Sequence, residues 1–225
     1  MRRGREIHLV IFDCNGVLVD GEPISAAVAA EELTRAGFPM TPQLFARFFT
    51  GRRASDMIAD VEAATGRMLP DDFLSHLTAA TLKRLRENLH PTPHAAHALT
   101  WLRGPKCVAS SGPIERIRLS LEIAGLRRFF EGNLFSATDV RRGKPEPDLF
   151  LHAAFEMGIA PHDCIVVEDS PVGVTAAAAA GMTPIGFVSE GRHSHSAAQL
   201  TAAGARTVIA DLRALKSTVV AMRGW

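Results

Sequence analysis

Asp13 ends the apolar run Ile7-His8-Leu9-Val10-Ile11-Phe12. A carboxylate at the carboxyl end of a buried strand lies where open α/β sheets bind ligands. Taken alone, it reads better as a strand-end helix cap. Three further segments end in chemistry of the same kind. Val108-Ala109-Ser110-Ser111-Gly112 closes an apolar run with hydroxyls. Ile165-Val166-Val167-Glu168-Asp169-Ser170 closes another with adjacent acids. Arg142-Gly143-Lys144-Pro145-Glu146-Pro147-Asp148 sets a lysine in a proline-stiffened turn. The lysine is scarce: the only others are Lys83, Lys106 and Lys216, against many arginines. In a parallel sheet these strand ends converge on one edge. Carboxylates, an ammonium and a hydroxyl gathered there make a magnesium and phosphate site. The acids hold the cation, Lys144 neutralises Asp13 and a phosphate oxygen, and Ser110 hydrogen-bonds another.

The elements that must position these groups follow from the apolar pattern. Ile7 to Phe12, Cys107 to Ala109, Cys164 to Val167, Thr183 to Val188 and Thr207 to Ala210 are short continuous apolar runs. Such runs suit strands covered on both faces. Helices are predicted at Pro113 to Ala124, stopped by Gly125, and at alanine-rich Pro171 to Ala180, stopped by Gly181. The alternation predicts an α/β, doubly wound, Rossmann-like parallel-sheet core. Residues 20–90 differ. Ile24 to Ala36, Thr41 to Phe49, Ala54 to Thr65 and Pro70 to Leu89 carry helical spacing, and no strand is evident. Turn-rich Val19-Asp20-Gly21-Glu22-Pro23 and Leu89-His90-Pro91-Thr92-Pro93 bound the interval. The expected organisation is a core of residues 1–19 and 91–225 with a helical cap, 20–90, inserted after the first strand.

With these pieces in order, the chain resembles the haloacid dehalogenase superfamily over essentially its full length, in the subgroup of β-phosphoglucomutase and its phosphatase relatives. Phe12-Asp13-Cys14-Asn15-Gly16-Val17-Leu18-Val19-Asp20 is similar to the first motif of that family; Ser110, Lys144 and Glu168-Asp169 resemble the second, third and fourth. The resemblance implies a phosphoric monoester hydrolase in which Asp13 attacks phosphorus and water then hydrolyses the aspartyl-phosphate. It implies Mg²⁺ held by Asp13, the main-chain carbonyl of Asn15, Glu168 and Asp169. Position 15 departs from the pattern: phosphatases of the family carry a second aspartate there as general acid and base. An amide keeps the carbonyl but shuttles no proton, so reduced turnover is expected. The alternatives are a phosphosugar mutase or a member that binds a phosphometabolite without turnover. Ser25 stands near the position where mutases of the group carry a cap histidine, which favours hydrolysis. Phosphonate hydrolysis would need a cap lysine, and Lys83 sits in a charged stretch with Arg84 and Arg86.

Phe48-Phe49-Thr50-Gly51-Arg52-Arg53-Ala54-Ser55 resembles the specificity loop of the family. Gly51 permits a tight turn, and Arg52 or Arg53 is suited to a bidentate grip on an anionic or sugar group. Ser111 and Gly112 complete the expected substrate contacts. His193 and His195 fall in a polar loop and read as surface.

Composition fixes the context. The 225 residues are 47% hydrophobic and 22% charged, with a formal charge of +1. A near-neutral chain gives no electrostatic reason for a nucleic-acid partner. Its apolar runs are too short to span a membrane. Asp13 interrupts the first apolar run, so no secretory leader is read there, and Met1 to Arg5 reads as a solvated tail. Cys14, Cys107 and Cys164 are odd in number and lie in or beside apolar runs, as buried free thiols of a cytoplasmic protein do. The expected partner is a small phosphorylated metabolite, a sugar or sugar-acid phosphate. Oligomeric state has no signature in the sequence.

Overall fold

A computed structural model describes residues 9–189 and 195–223. Six strands form one parallel sheet in the order β3-β2-β1-β4-β5-β6. They are β1 (Leu9–Phe12), β2 (Lys106–Ser110), β3 (Leu134–Ser136), β4 (Cys164–Glu168), β5 (Thr183–Phe187) and β6 (Thr207–Ile209). The chain winds outward from β1 through β2 to β3, then crosses back to β4 and winds the other way. The reversal falls between β1 and β4, the position where such sheets open a crevice.

The register delivers the chemistry to one edge. Phe12 pairs with Val108 on one side and with Val167 on the other. Asp13, Ser110 and Glu168 are therefore within two residues of a common line. Alternation along β1 splits the core into two layers. Val10 and Phe12 pack with α5 (Ala95–Trp101), α6 (Ile114–Ile123) and α10 (Leu215–Arg223), while Leu9 and Ile11 pack with α7 (Asp148–Glu156) and α8 (Pro171–Ala179). Ala176 and Ala177, both fully buried, let α8 lie against the sheet. The remaining core helix, α9 (Ala197–Ala202), covers β5 and β6.

Between β1 and β2 the chain forms α1 (Glu22–Arg35), α2 (Pro42–Phe49), α3 (Ala54–Thr65) and α4 (Phe73–Asn88). Local signals set their ends. Thr41 Oγ1 accepts from the Leu44 amide to start α2, and Gly66, at φ 65°, ends α3 in the left-handed region that glycine enters freely. The insert has its own apolar centre, built from Leu33, Phe38, Met57, Val61, Phe73 and Leu77. It stays tied to the sheet, because Leu85 and Leu89 join the core of the α5, α6 and α10 layer. The two linkers also pair with each other: the Asp20 amide donates to His90 O at 3.0 Å, and the Thr92 amide to Leu18 O at 2.9 Å. Both crossings are thus hydrogen-bonded at the turn-rich segments noted in the sequence.

The five predicted strands are present with ends moved by one or two residues, and Ile7, like Met1 to Arg5 and His193, lies outside the described residues. β3 carried no apolar signal, being three residues of which Leu134 and Phe135 are only partly buried. The insert helix expected from Pro70 starts at Phe73, since the turn at Pro70 closes only through the Phe73 amide to Pro70 O bond, at 2.9 Å.

The small insert core makes a stability prediction. Leu33 is fully buried there, and Leu33→Ala should cost about 2–5 kcal/mol. Phe155, 80% exposed on α7, should tolerate alanine within about 0.5 kcal/mol. Urea denaturation of both variants checks the contrast; equal losses would mean the insert core contributes nothing beyond surface packing.

Candidate active site

Asp13 leaves β1 with its amide donating to Val167 O at 3.0 Å, which locks the carboxylate against the end of β4. Lys144 arrives from the β3–α7 connection and is 1% exposed. Its ammonium donates to Asp13 Oδ1 and to Glu168 Oε1, both at 2.5 Å, and lies 5.0 Å over the Phe150 ring. A buried ammonium is tolerable only when so paired. The other oxygen of Glu168 accepts from the Ser170 amide at 3.2 Å and from Ser170 Oγ at 2.9 Å. Ser170 Oγ in turn accepts from the Gly173 amide and caps α8. Gly173 cannot carry a side chain here, since a Cβ would stand 2.0 Å from the Glu168 carboxylate carbon.

The neighbouring turn holds Asp169. Gly16 has φ +82°, and a Cβ on it would stand 1.8 Å from Asp169 Oδ2. Only glycine lets the 15–16 backbone approach that carboxylate. Both oxygens of Glu168 are engaged by Lys144 and Ser170, so Asp169, not Glu168, is the acid of the pair that faces Asp13 and the 15–16 turn.

Sequence reasoning missed Glu22 and Arg116. Glu22 opens α1, and the Asn15 side chain hydrogen-bonds its carboxylate. The other side of the Asn15 amide lies against Gly21, where a Cβ would be 2.6 Å from Oδ1. Arg116, on α6, faces Glu22 and donates to Ser25 Oγ at 2.5 Å. The acid following Asp20-Gly21 was a usable signal for Glu22. Nothing in the spacing marks Arg116, one of two arginines on its helix.

The electrostatics are those of crowded acids. Burial pushes the Asp13 carboxyl up to about 7, against the pull of Lys144. Burial also raises Glu22, and raises Asp169 well above the carboxylate range with the help of Glu168, Glu22 and Asp13. Lys144 moves up despite its burial, because Asp13 and Glu168 hold its charge. Cys14, Cys107 and Cys164 are free and buried, and burial lifts the Cys14 thiol to about 12, so none is a ready nucleophile.

Two cavities meet at this cluster. One of about 100 Å³ is lined by Asp13, Asn15, Ser110, Ser111, Gly112, Gly51, Arg52 and Arg116, with Phe45 and Phe49 above. A larger one of about 500 Å³ is reached past Gly16, Glu22 and Asp169, and His195 lines it. The two share Glu22. The insert closes over the first cavity through its 50–53 turn. Ser111 Oγ donates to Gly51 O at 2.7 Å, and Gly51 is so close to Ser170 that a Cβ would stand 2.6 Å from its hydroxyl. Arg52 reaches the cavity wall, pairs with Asp60, and leaves its Nε buried without a partner. Arg53, expected beside Arg52 on the substrate, is turned away: its guanidinium binds Asp56 and three core carbonyls. The tandem arginines therefore point to different surfaces, a division that sequence spacing does not encode. Lys83 is exposed on α4.

A family profile described as haloacid dehalogenase-like hydrolase matches residues 7–181. The 6-phosphogluconate phosphatase of Escherichia coli (strain K12) is 31% identical over 185 residues, covering 82% of this chain and 84% of that protein. A haloacid dehalogenase-like protein of unknown function from Agrobacterium tumefaciens str. C58 superposes with a TM-score of 0.79 at 36% identity, over 96% of this chain and 99% of the other. A family hydrolase from Deinococcus radiodurans R1, solved with bound phosphate and sodium, gives a TM-score of 0.74 at 31% identity over 97% of each chain. Motif order, strand-edge geometry and these likenesses agree, and the chain belongs to the haloacid dehalogenase-like hydrolases.

Proposed function

We propose that this chain is a Mg²⁺-dependent phosphatase that hydrolyses a small phosphorylated sugar or sugar acid through an aspartyl-phosphate on Asp13. The observation that carries the reading is the buried Lys144 ammonium, 2.5 Å from Asp13 at the sheet reversal, where Asp13 and Ser110 line the same cavity. Asp13 Oδ is the nucleophile. Lys144 opposes the burial that favours the neutral Asp13 carboxyl and offsets charge on the transferred phosphoryl oxygens. Ser110 and the Ser111 and Gly112 turn receive those oxygens. The named activity of the E. coli relative, on phosphorylated gluconate, supports a sugar-acid or sugar substrate. Arg52, with an unpaired buried donor in the cavity wall, is the group suited to its anionic or hydroxylated end.

The residues fit a divalent cation. Among the described residues no three acids, histidines or cysteines already surround one point. The donor set is narrower: Asp13, Asp169 and the main-chain carbonyl of Asn15, with Glu168 bracing Lys144 instead. Burial, helped by neighbouring carboxylates, raises Asp13 and Asp169 together, and a cation would offset both effects. Bound there, Mg²⁺ would supply Lewis-acid stabilisation of the transferred phosphoryl group.

Asn15 sets the rate. The leaving alkoxide needs a proton, and the water that attacks the aspartyl-phosphate needs a base. An amide supplies neither, and here its NH₂ is committed to Glu22. The same residue supports a second reading, a phosphometabolite binder that no longer turns over.

Two outcomes test this. Asn15→Asp should raise phosphate release from sugar phosphates by about 10²-fold or more, the usual worth of a positioned acid–base group. Assays on protein checked by mass spectrometry for Asn15 deamidation decide it. Equal rates would remove position 15 from proton transfer, and no release by either form across a broad panel would favour the binder. Independently of turnover, Asp169→Asn should weaken Mg²⁺ binding about 10-fold or more in calorimetry. Unchanged affinity would place the cation elsewhere.

A further inference from the structure

Arg53 uses every donor it has. Its Nε and one Nη2 hydrogen grip the Asp56 carboxylate at 3.0 and 2.7 Å. Nη1 donates to Ala137 O at 3.2 Å and to Val140 O at 3.1 Å, and Nη2 also to Arg141 O at 3.2 Å. A guanidinium has five N–H groups, and five acceptors are present. None remains for a substrate. The three carbonyls belong to the core, on the connection from β3 towards Lys144. The ion pair also packs on that connection: a Cβ at Gly143 would meet Asp56 Oδ2 at 2.9 Å and Arg53 Nε at 3.1 Å. Gly143 immediately precedes Lys144. Just before the lysine, Arg142 ties the same connection to Asp148 at the start of α7, with bonds of 3.1 and 2.9 Å.

We propose that Arg53 is a positioning residue, a clasp by which closure of the helical insert fixes the segment that aims Lys144 at Asp13. The 50–53 turn then divides its labour. Gly51 makes the close approach to Ser111 and Ser170, Arg52 faces the cavity, and Arg53 fastens the turn to the core outside it. When the insert lifts, the Ala137, Val140 and Arg141 carbonyls lose their shared donor, and the 137–144 connection keeps only its core-side contacts, among them the Arg142–Asp148 pair and the packing of Ala137. Enclosure of a substrate and alignment of the ammonium thereby occur together. A lysine cannot replace the clasp, since one ammonium does not span a carboxylate and three carbonyls as a planar fork does.

The test reads the clasp without turnover and then with it. Amide hydrogen exchange across residues 137–147 is followed in the full chain, in Arg53→Ala, Arg53→Lys and Arg52→Ala, with no ligand added. The Arg53 variants should exchange about tenfold faster in that segment, and Arg52→Ala should match the parent. On a small aryl phosphate, which makes no demand on the cavity wall, both Arg53 variants should lose about tenfold in kcat. The turnover arm rests on the phosphatase reading and the exchange arm does not, so failure of the one is separable from failure of the other. Asp56→Asn, which weakens one arm of the fork, repeats both readings at smaller size should Arg53→Ala fail to fold. Unchanged exchange in Arg53→Lys would overturn the clasp. So would an Arg53→Ala variant that raises KM for a sugar phosphate alone with kcat intact, since that is the behaviour of a substrate contact.

Discussion

The site depends on one buried ammonium. Lys144 is shielded from water and lies between Asp13 and Glu168, which come from two adjacent central strands. Each of the three would be untenable alone in that environment, because an unpaired buried charge is far costlier than a paired one. The pairing explains features that are otherwise unrelated. Gly173 is bare because Glu168 needs the room, Ser170 serves both Glu168 and the cap of α8, and Phe150 supplies the face over which the cation lies. Packing around the lysine and the chemistry at Asp13 are the same arrangement.

Much of this was legible in the sequence, for a physical reason. Buried parallel strands need continuous apolar runs, and the residue ending each run falls at one edge. Asp13, Ser110 and Glu168-Asp169 were therefore locatable from hydrophobicity alone, and Lys144 from its scarcity and its proline-stiffened turn. β3 was not legible, because an edge strand of three residues, two of them only partly buried and the third a serine, has no apolar run to display. Glu22 and Arg116 escaped because their importance comes from a meeting across the insert and the core, on α1 and α6. Glu168 and Asp169 are adjacent in the sequence but divided in space by strand alternation: one supports the lysine, the other faces the 15–16 turn. Arg52 and Arg53 divide in the same way.

The acids around Asp13 outnumber the cations beside them, and burial amplifies the imbalance. Asp13, Glu22 and Asp169 are all displaced towards the neutral form. A site tuned for an anionic substrate alone would not be built so. Under the proposed function, a divalent cation on the Asp169 side would complete the charge balance, with the guanidinium groups of Arg52 and Arg116 on the cavity side. Asn15 sits at the junction of the two and hydrogen-bonds Glu22, where an aspartate would add a further negative charge.

Under the proposed function, Asp13 accepts the phosphoryl group. Without a base at position 15, the acyl phosphate should outlast its formation, so it should be trappable. The direct measurement is acid quench of the protein mixed with Mg²⁺ and an activated phosphate ester, followed by peptide mass spectrometry. The account predicts phosphoryl mass on the peptide carrying Asp13, absent from Asp13→Asn. A phosphorylated residue elsewhere, or phosphate release by Asp13→Asn at the parent rate, would contradict it.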